Sequence, residues 1–207
     1  MINEILLFSL SVFTGFFAIN NPIAFTPVFI SSVDGMSHDD KKIVARRATM
    51  LSFLIVISFI ILGKYIFNLF DITIPAFKIT GGILLFYIGF EMLMSHKSEI
   101  SHTGKAKPST MDVAVSPLAI PILAGPGTIV TATNFVTDAD YIHIAVVIVM
   151  FAIMSYLTYL TFSLSDRIVQ KLGHNLIAVV GKLMGLILAI MGVGMIIYGI
   201  KLSFKLM

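Results

Sequence analysis

The chain has 207 residues, of which 57% are hydrophobic and 12% charged; its mean hydropathy is +0.99 and its formal net charge is +3. Soluble domains average about 45–50% apolar and about 25% charged residues, so the composition excludes an ordinary soluble domain and predicts an integral membrane protein. The chain has no cysteine, which excludes disulfides and cysteine metal sites, and its basic residues are spread over loops rather than gathered in a nucleic-acid-binding stripe.

Six apolar segments are long enough to cross a bilayer as helices, which requires about 20 residues. They are predicted at residues 5–30, 48–69, 74–95, 113–135, 141–164 and 176–200. Their hydrophobicity is continuous rather than alternating, which favours helices over the strands of a barrel. We expect the first segment to be a permanent span, because its apolar run is too long for a signal peptide and no basic residue precedes it.

The first span contains a helix breaker, in the sequence AINNPIAFTPVF at residues 18–29. Pro22 lacks an amide donor and its ring collides with the carbonyl four residues earlier, but it is well tolerated as the first residue of a new helix. Asn21 is then expected to act as the N-cap, with its side-chain oxygen accepting a hydrogen bond from an amide beyond Pro22. Together with Asn20, these residues predict a polar break within the membrane.

The fourth span contains a second break, formed by Gly125, Pro126 and Gly127 and followed by the hydroxyl of Thr128. The glycines permit backbone conformations and close approaches that other residues do not. Two further prolines precede this break, and we expect them to act as simple kinks: Pro117 and Pro121.

The basic residues indicate the orientation of the spans. Nine of them fall in the first, third and fifth loops: Lys41, Lys42, Arg46, Arg47, Lys97, Lys105, Lys107, Arg167 and Lys171. The positive-inside rule places these three loops in the cytoplasm and therefore both termini on the outer face.

Two sequence matches at the same offset predict an internal repeat. Both Lys78–Leu84 and Lys182–Leu188 fit K-x-x-G-x-I-L, 104 residues apart, and the same offset places Asn21-Pro22 on Gly125-Pro126. The chain is thus divided into a first three-helix repeat (1–96), a polar cytoplasmic linker (97–112) and a second repeat (113–207). Three spans are an odd number, so the second repeat must be inverted relative to the first. The predicted fold is an all-α membrane protein with six helices, of which the first and fourth are broken.

Charged and glycine residues within the spans have two interpretations. Lys78 and Lys182 lie near predicted helix ends and are expected to extend their ammonium groups to the membrane interface. Glu91 is either a proton or charge site or another interfacial anchor. Gly181 and Gly185 form G-x-x-x-G, which is typical of close helix packing. The histidine spacing predicts no metal site, and we find no enzyme, cofactor or nucleotide-binding motif.

Helix breaks at corresponding positions of two inverted repeats are typical of secondary transporters, in which substrate binds near the midplane. The amides at the start of a half-helix could hold an anionic group such as a carboxylate. The alternative is that both breaks are only structural, as in a membrane scaffold or assembly protein, and a third reading is an exporter of small amphiphilic compounds.

Three stretches, NNPIAFTPVF, PLAIPILAGPGTI and KLMGLILAIMGVGMIIYGI, resemble the MarC family of bacterial and archaeal inner-membrane proteins. The resemblance covers nearly the whole chain, although Ala24 stands where the family usually has glycine. It implies proton-coupled transport of small neutral amino acids such as glycine and alanine. The sequence leaves open whether the protein forms a homo-oligomer. The implied substrate site comprises Asn20, Asn21, Pro22, Gly125, Pro126, Gly127 and Thr128.

Overall fold

A computed structural model describes residues 2–94, 109–136 and 139–204. Within these ranges the chain forms helices and the short connections between them, with no strand, which confirms the all-α prediction. The predicted linker lies mostly outside the described residues. The described helices are α1 (Ile2–Ile19), α2 (Pro22–Ser32), α3 (His38–Leu69), α4 (Ile74–Met94), α5 (Thr110–Val113), α6 (Pro126–Val136), α7 (Tyr141–Ser163), α8 (Ser165–Leu172) and α9 (His174–Ser203), with a kinked segment, Ala114–Leu123, between α5 and α6.

Four of the described helices are long and apolar enough to cross a membrane: His38–Gly63, Ile74–Met94, Tyr141–Ser163 and Val179–Ser203. A fifth span is formed if Thr110–Leu123 and Pro126–Val136, which meet at an angle of 52°, count as one broken helix. The apolar helix Asn3–Ile19 is shorter. The multi-pass helical architecture is therefore confirmed, while a total of six spans requires α1 and α2 to act together.

Both predicted breaks are present. α1 ends at Ile19 and α2 begins at Pro22, while α6 begins at Pro126, so each proline is the first residue of a new helix, where its missing amide leaves no hydrogen bond unmade. Ser116 and Ile120 have extended backbone angles within the kinked segment. Both precede a proline, whose ring disfavours the helical conformation in the preceding residue.

The helix α3 begins ten residues before the predicted start of the second span. Ser37 has extended angles and its hydroxyl accepts a hydrogen bond from the amide of Asp40, which caps the helix. Asp39 and Asp40 also favour this end because their negative charges complement the helix dipole. The first turns of α3 are too polar to be recognised from hydropathy.

The predicted fifth loop likewise contains a helix, α8, that hydropathy does not reveal. It ends before Gly173, whose φ of 76° favours glycine.

Glycines bring α4 and α9 into backbone contact. A Cβ atom on Gly82 would lie 2.5 Å from the carbonyl oxygen of Gly192, and one on Gly89 would lie 2.4 Å from that of Gly185. As the residue numbers of these contacts rise along α4, they fall along α9, so the two helices are antiparallel. Close packing of this kind in membranes depends on small residues, and the predicted packing role of Gly185 is confirmed.

Two sets of contacts identify the ends of the bundle. Arg47 donates to the hydroxyl of Thr110 at 2.9 Å, and the ammonium of Lys41 lies 2.8 Å from the Asp166 carboxylate. The starts of α3, α5 and α8 therefore lie together at what we call the basic end. At the opposite end, the rings of Phe8 in α1 and His143 in α7 lie 4.6 Å apart. The first and fifth loops thus share one end, as predicted, and the N-terminal helix begins at the other.

The ion pair at the basic end predicts a pH dependence of stability. Hydrogen bonds from Lys41 and then His38 hold the pKa of the Asp166 carboxyl below its ordinary value. A carboxyl with a lowered pKa in the folded state stabilises the fold above its unfolded pKa, about 3.9 for aspartate, and loses that contribution as the pH falls through the folded pKa. We expect Asp166→Asn to lower the Tm of the purified protein at pH 7, and this deficit to shrink as the pH is lowered below about 4.

The control for this pH dependence is Asp71→Asn, at an exposed carboxylate elsewhere in the bundle. It should change the Tm little at either pH. An Asp166→Asn deficit of the same size at pH 3 and pH 7 would contradict the assigned role of the ion pair.

Candidate functional site

The two helix breaks meet inside the bundle. The side-chain amide of Asn20 donates to the carbonyl oxygen of Leu123 at 3.1 Å, and the hydroxyl of Thr128 donates to the side-chain oxygen of Asn20 at 2.9 Å. Asn20 is 3% exposed and Thr128 is 1% exposed. Two breaks that are 104 residues apart in the sequence are thus joined by one buried polar bridge.

This bridge satisfies backbone groups that the breaks would otherwise leave unpaired. Leu123 is the last residue of the kinked segment, and carbonyls at the end of a helical segment lack partners within it. A buried carbonyl without a partner is costly, especially in a membrane, where no water replaces the lost hydrogen bond. Asn20 supplies that partner, which makes it a positioning residue of the junction.

The predicted cap of α2 is present. The side-chain oxygen of Asn21 accepts a hydrogen bond from the amide of Ile23 at 3.1 Å, and its backbone carbonyl accepts from Phe25 at 3.1 Å. In the second break, the carbonyl of Gly125 accepts from the amide of Ile129 at 3.0 Å. Each half-helix therefore starts in a defined orientation relative to its break.

The glycines near the second break have different roles. A Cβ atom on Gly125 would lie 2.1 Å from the carbonyl oxygen of Pro121, so this position excludes any side chain. A Cβ atom on Gly81 of α4 would lie 2.1 Å from the Pro126 ring, which packs directly on the α4 backbone. Gly127 is less restricted, since its nearest neighbour would be a methyl of Ile19 at 3.3 Å. Gly125 and Gly81 build the junction, whereas a side chain at Gly127 would require only a small shift of the Ile19 side chain.

Two cavities lie at the junction. A small one of about 10 Å³, enough for roughly one water molecule, is bordered by Gly125 and Thr128. A larger crevice of about 330 Å³ shares Gly127 with it and extends between α1, α4, α6 and α9. The described residues that line this crevice are Ile19, Lys78, Leu85, Gly127, Val130, Thr131, Asn134, Met191, Gly194, Met195 and Tyr198.

The crevice extends from the breaks toward the end of the bundle opposite the basic end. Lys78 lies in the second turn of α4, Asn134 lies near the end of α6, and Tyr198 lies in the last turns of α9. The ammonium of Lys78 lies 3.9 Å from the centre of the Tyr198 ring, a cation–π contact. Polar groups therefore surround the outer part of the crevice, while its inner part is mainly apolar.

The predicted site residues are only partly brought together. Asn20, Gly125, Gly127 and Thr128 meet at the junction or line its cavities, whereas Asn21, Pro22 and Pro126 define the starts of α2 and α6. Glu91 is exposed and borders neither cavity. It lies ten residues along α4 from Gly81, a distance of about 15 Å at 1.5 Å per residue.

Four polar crevice residues were not predicted as site residues: Lys78, Thr131, Asn134 and Tyr198. A signal for two of them exists in the sequence, because Gly127, Thr131 and Asn134 are spaced as neighbours on one face of a helix. Lys78, interpreted from the sequence as an interfacial anchor, lines the crevice from the second turn of α4.

These features define a multi-pass helical membrane protein with two broken helices that meet at a polar junction beside a crevice. A model of the MarC family of integral membrane proteins matches residues 6–204. The chain belongs to this family, as its sequence motifs predicted.

Relatives of similar length occur in bacteria and archaea. The chain is 40% identical to the UPF0056 membrane protein YvbG of Bacillus subtilis over 205 residues, 97% of each chain. It is 36% identical to a UPF0056 membrane protein of Pyrococcus abyssi, covering 93% of this chain and 94% of the relative. It is 31% identical to one from Methanocaldococcus jannaschii, covering 91% and 94%. No solved structure matches the chain.

Proposed function

We propose that this MarC family member is a secondary transporter that moves small neutral amino acids, such as glycine and alanine, together with protons. The observation that carries the proposal is the junction of two helix breaks beside a crevice of about 330 Å³. This volume lies at the lower end of the range of roughly 300–1,000 Å³ for small-molecule pockets, which suits a small solute.

The packing of the helices supports two inverted three-helix repeats, comprising residues 1–96 and 113–207. The broken helix α1–α2 of the first half packs against α7 of the second, while the kinked segment and α6 of the second half pack against α3 of the first. The third helix of each half, α4 or α9, packs antiparallel against the other. Exchanged contacts of this kind are what an inverted repeat produces.

Substrate would bind where the first turn of α6 borders the crevice. The amides at the start of a helix lack partners within it and carry partial positive charge, and Gly127 allows a ligand to approach this backbone closely. Asn20 and Thr128 hold the two breaks together, while Asn21, Pro22, Gly125 and Pro126 set the directions of the half-helices. Glu91, in the last turn of α4 near the basic end of the bundle, is the proposed proton site.

The proposed orientation places the basic end in the cytoplasm and both termini on the outer face of the inner membrane. The positive-inside rule supports it, because Lys41 and Arg47 lie at that end together with α8, which carries Arg167 and Lys171. The crevice would then open toward the outside. The residues between the breaks and the basic end, such as Phe29 and Phe162, whose rings stack at 4.4 Å, close the opposite path.

Uptake into proteoliposomes tests the proposal. We expect labelled glycine or alanine to accumulate under an imposed proton gradient, and Gly194→Phe to reduce this uptake to background. Gly194 lines the crevice, and a Cβ atom there meets no other atom within 4 Å, so the new side chain starts without a backbone clash and we expect its ring to occupy the crevice. The matched control is Ile197→Phe in the same helix, at a position that is 51% exposed and outside the crevice.

Absence of gradient-dependent uptake for a panel of small solutes would contradict transport and favour the scaffold alternative. Normal uptake by Gly194→Phe would show that the crevice is not part of the substrate path.

A further inference from the structure

The crevice contains an ionisable group inside a spanning helix. Lys78 belongs to the candidate span Ile74–Met94, and its ammonium lies over the Tyr198 ring of α9. Charged side chains within membrane spans are costly, and they usually face a water-filled cavity or a partner of opposite charge. Among residues 2–94, 109–136 and 139–204, no carboxylate forms an ion pair with Lys78.

The repeat provides an internal comparison for Lys78. Lys182 occupies the matching position in the second half, 104 residues later. It is exposed and is not among the described residues that line either cavity. Lys182 therefore lies outside both cavities, while Lys78 lines the larger one. The two lysines share a sequence context but not a structural environment.

The lining of the crevice is electrostatically asymmetric. Lys78 supplies positive charge, and no acidic residue is found among its described lining residues. Thr131 and Asn134 add neutral hydrogen-bonding groups. The first turn of α6 adds the positive end of a helix dipole beside Gly127. The crevice therefore attracts the anionic group of a ligand. For a ligand's ammonium group, its described lining offers only neutral oxygen atoms.

The positions of Lys78 and of the α6 terminus suit a small ligand. Pro126 packs on Gly81, which lies three residues beyond Lys78 on α4, or about 4.5 Å along the helix axis. Lysine has three N–H donors, and contact with an aromatic ring leaves its ammonium able to donate toward the crevice. Charge-assisted hydrogen bonds from an ammonium to a carboxylate are among the strong polar contacts in proteins.

We propose that Lys78 binds the carboxylate of the transported solute, and that the crevice selects small solutes by a free carboxylate more than by an amino group. This inference rests on the proposed transport function and names the group that its substrate must carry. Tyr198 holds the ammonium in place through its ring.

Binding to the purified wild-type protein in an uncharged detergent tests the ligand side of the proposal. Isothermal titration with L-alanine, L-alaninamide and propanoate separates the contributions of the carboxylate and the amino group. We expect alanine and propanoate to bind, and alaninamide, which lacks the carboxylate, to bind about tenfold or more weakly, as the loss of a hydrogen bond to a charged group predicts.

Substitutions test the residue. Lys78→Met should weaken alanine binding about tenfold or more, Lys78→Arg should retain most of the affinity, and the matched control Lys182→Met should bind like the wild type. Equal binding of alanine and alaninamide by the wild type, or unchanged alanine binding by a folded Lys78→Met protein, would overturn the role of Lys78 while leaving transport intact. The ligand comparison needs no variant, so it can still contradict the carboxylate site if Lys78→Met does not fold.

The remaining outcomes separate this inference from the proposed function. Binding of propanoate without binding of alanine would support the carboxylate site and contradict neutral amino acids as substrates. Failure of the wild-type protein to bind either carboxylate would overturn both proposals.

Discussion

Replacement of Asn20 by leucine is expected to lower the Tm of the purified protein substantially and to abolish transport. Leucine has a similar size but cannot donate to the Leu123 carbonyl or accept from the Thr128 hydroxyl, and both bonds are buried. A buried polar group that loses its partner costs about 1–3 kcal/mol, and here two groups lose theirs at once. Thermal unfolding in detergent, followed by circular dichroism, measures the effect.

A double-mutant cycle isolates the bridge. Thr128→Val removes only the hydroxyl that donates to Asn20, so its own cost should be smaller than that of Asn20→Leu. If the two residues act through their shared hydrogen bond, the double variant should be less destabilised than the sum of the single variants. Strict additivity, or an unchanged Tm for Asn20→Leu, would contradict the bridge.

Replacement of Gly125 by alanine is expected to be similarly damaging, although it adds only one methyl group. The new Cβ atom would lie 2.1 Å from the Pro121 carbonyl oxygen, so the kinked segment must move away from α6. Overpacking of a closely packed interior typically costs about 1–3 kcal/mol, and a shift of this backbone would also displace the Leu123 carbonyl from Asn20. We expect a lower Tm in the same unfolding measurement and reduced uptake in proteoliposomes.

The matched control is Gly194→Ala, which adds the same methyl group at a helical position with no atom within 4 Å. Because alanine favours helices over glycine by about 0.5–1 kcal/mol, this variant should be as stable as the wild type or slightly more stable. Equal Tm values for the two alanine variants would contradict the steric role of Gly125. The same geometry makes a larger side chain at Gly125 unsuitable as a test of binding, because it would disrupt the fold.

Much of the fold was predictable because the bilayer imposes strong constraints on sequence. Spanning helices need long apolar runs, and the central parts of α3, α4, α7 and α9 were found from these runs alone. The first turns of α3 were missed, since Ser37, Asp39 and Asp40 start the helix through capping and dipole interactions that hydropathy does not detect. The helix α8 was missed for a similar reason, because its composition is polar overall.

The breaks were predictable at the level of single residues. Proline lacks an amide hydrogen, so a helix accommodates it without the loss of a hydrogen bond only in the first turn. Pro22 and Pro126 were therefore expected to begin helices, and Asn21 caps α2 as expected. The sequence did not indicate, however, that Asn20 has a role different from the capping role of Asn21. One is buried and bridges the two halves, whereas the other caps its own helix, and this difference depends on which way each side chain points.

The sequence by itself determined that the chain spans a membrane as helices, where those helices break, and that it belongs to the MarC family. These properties depend on apolar length, on proline geometry and on motifs that are local in the chain. Only the tertiary structure decided that Asn20 bridges to Leu123 and Thr128, and that Lys78 rather than Lys182 faces a crevice. Those properties depend on which helix faces pack together when the helices are distant in sequence. Close contacts, such as that of Pro126 on Gly81, govern this packing, and no local sequence pattern encodes them.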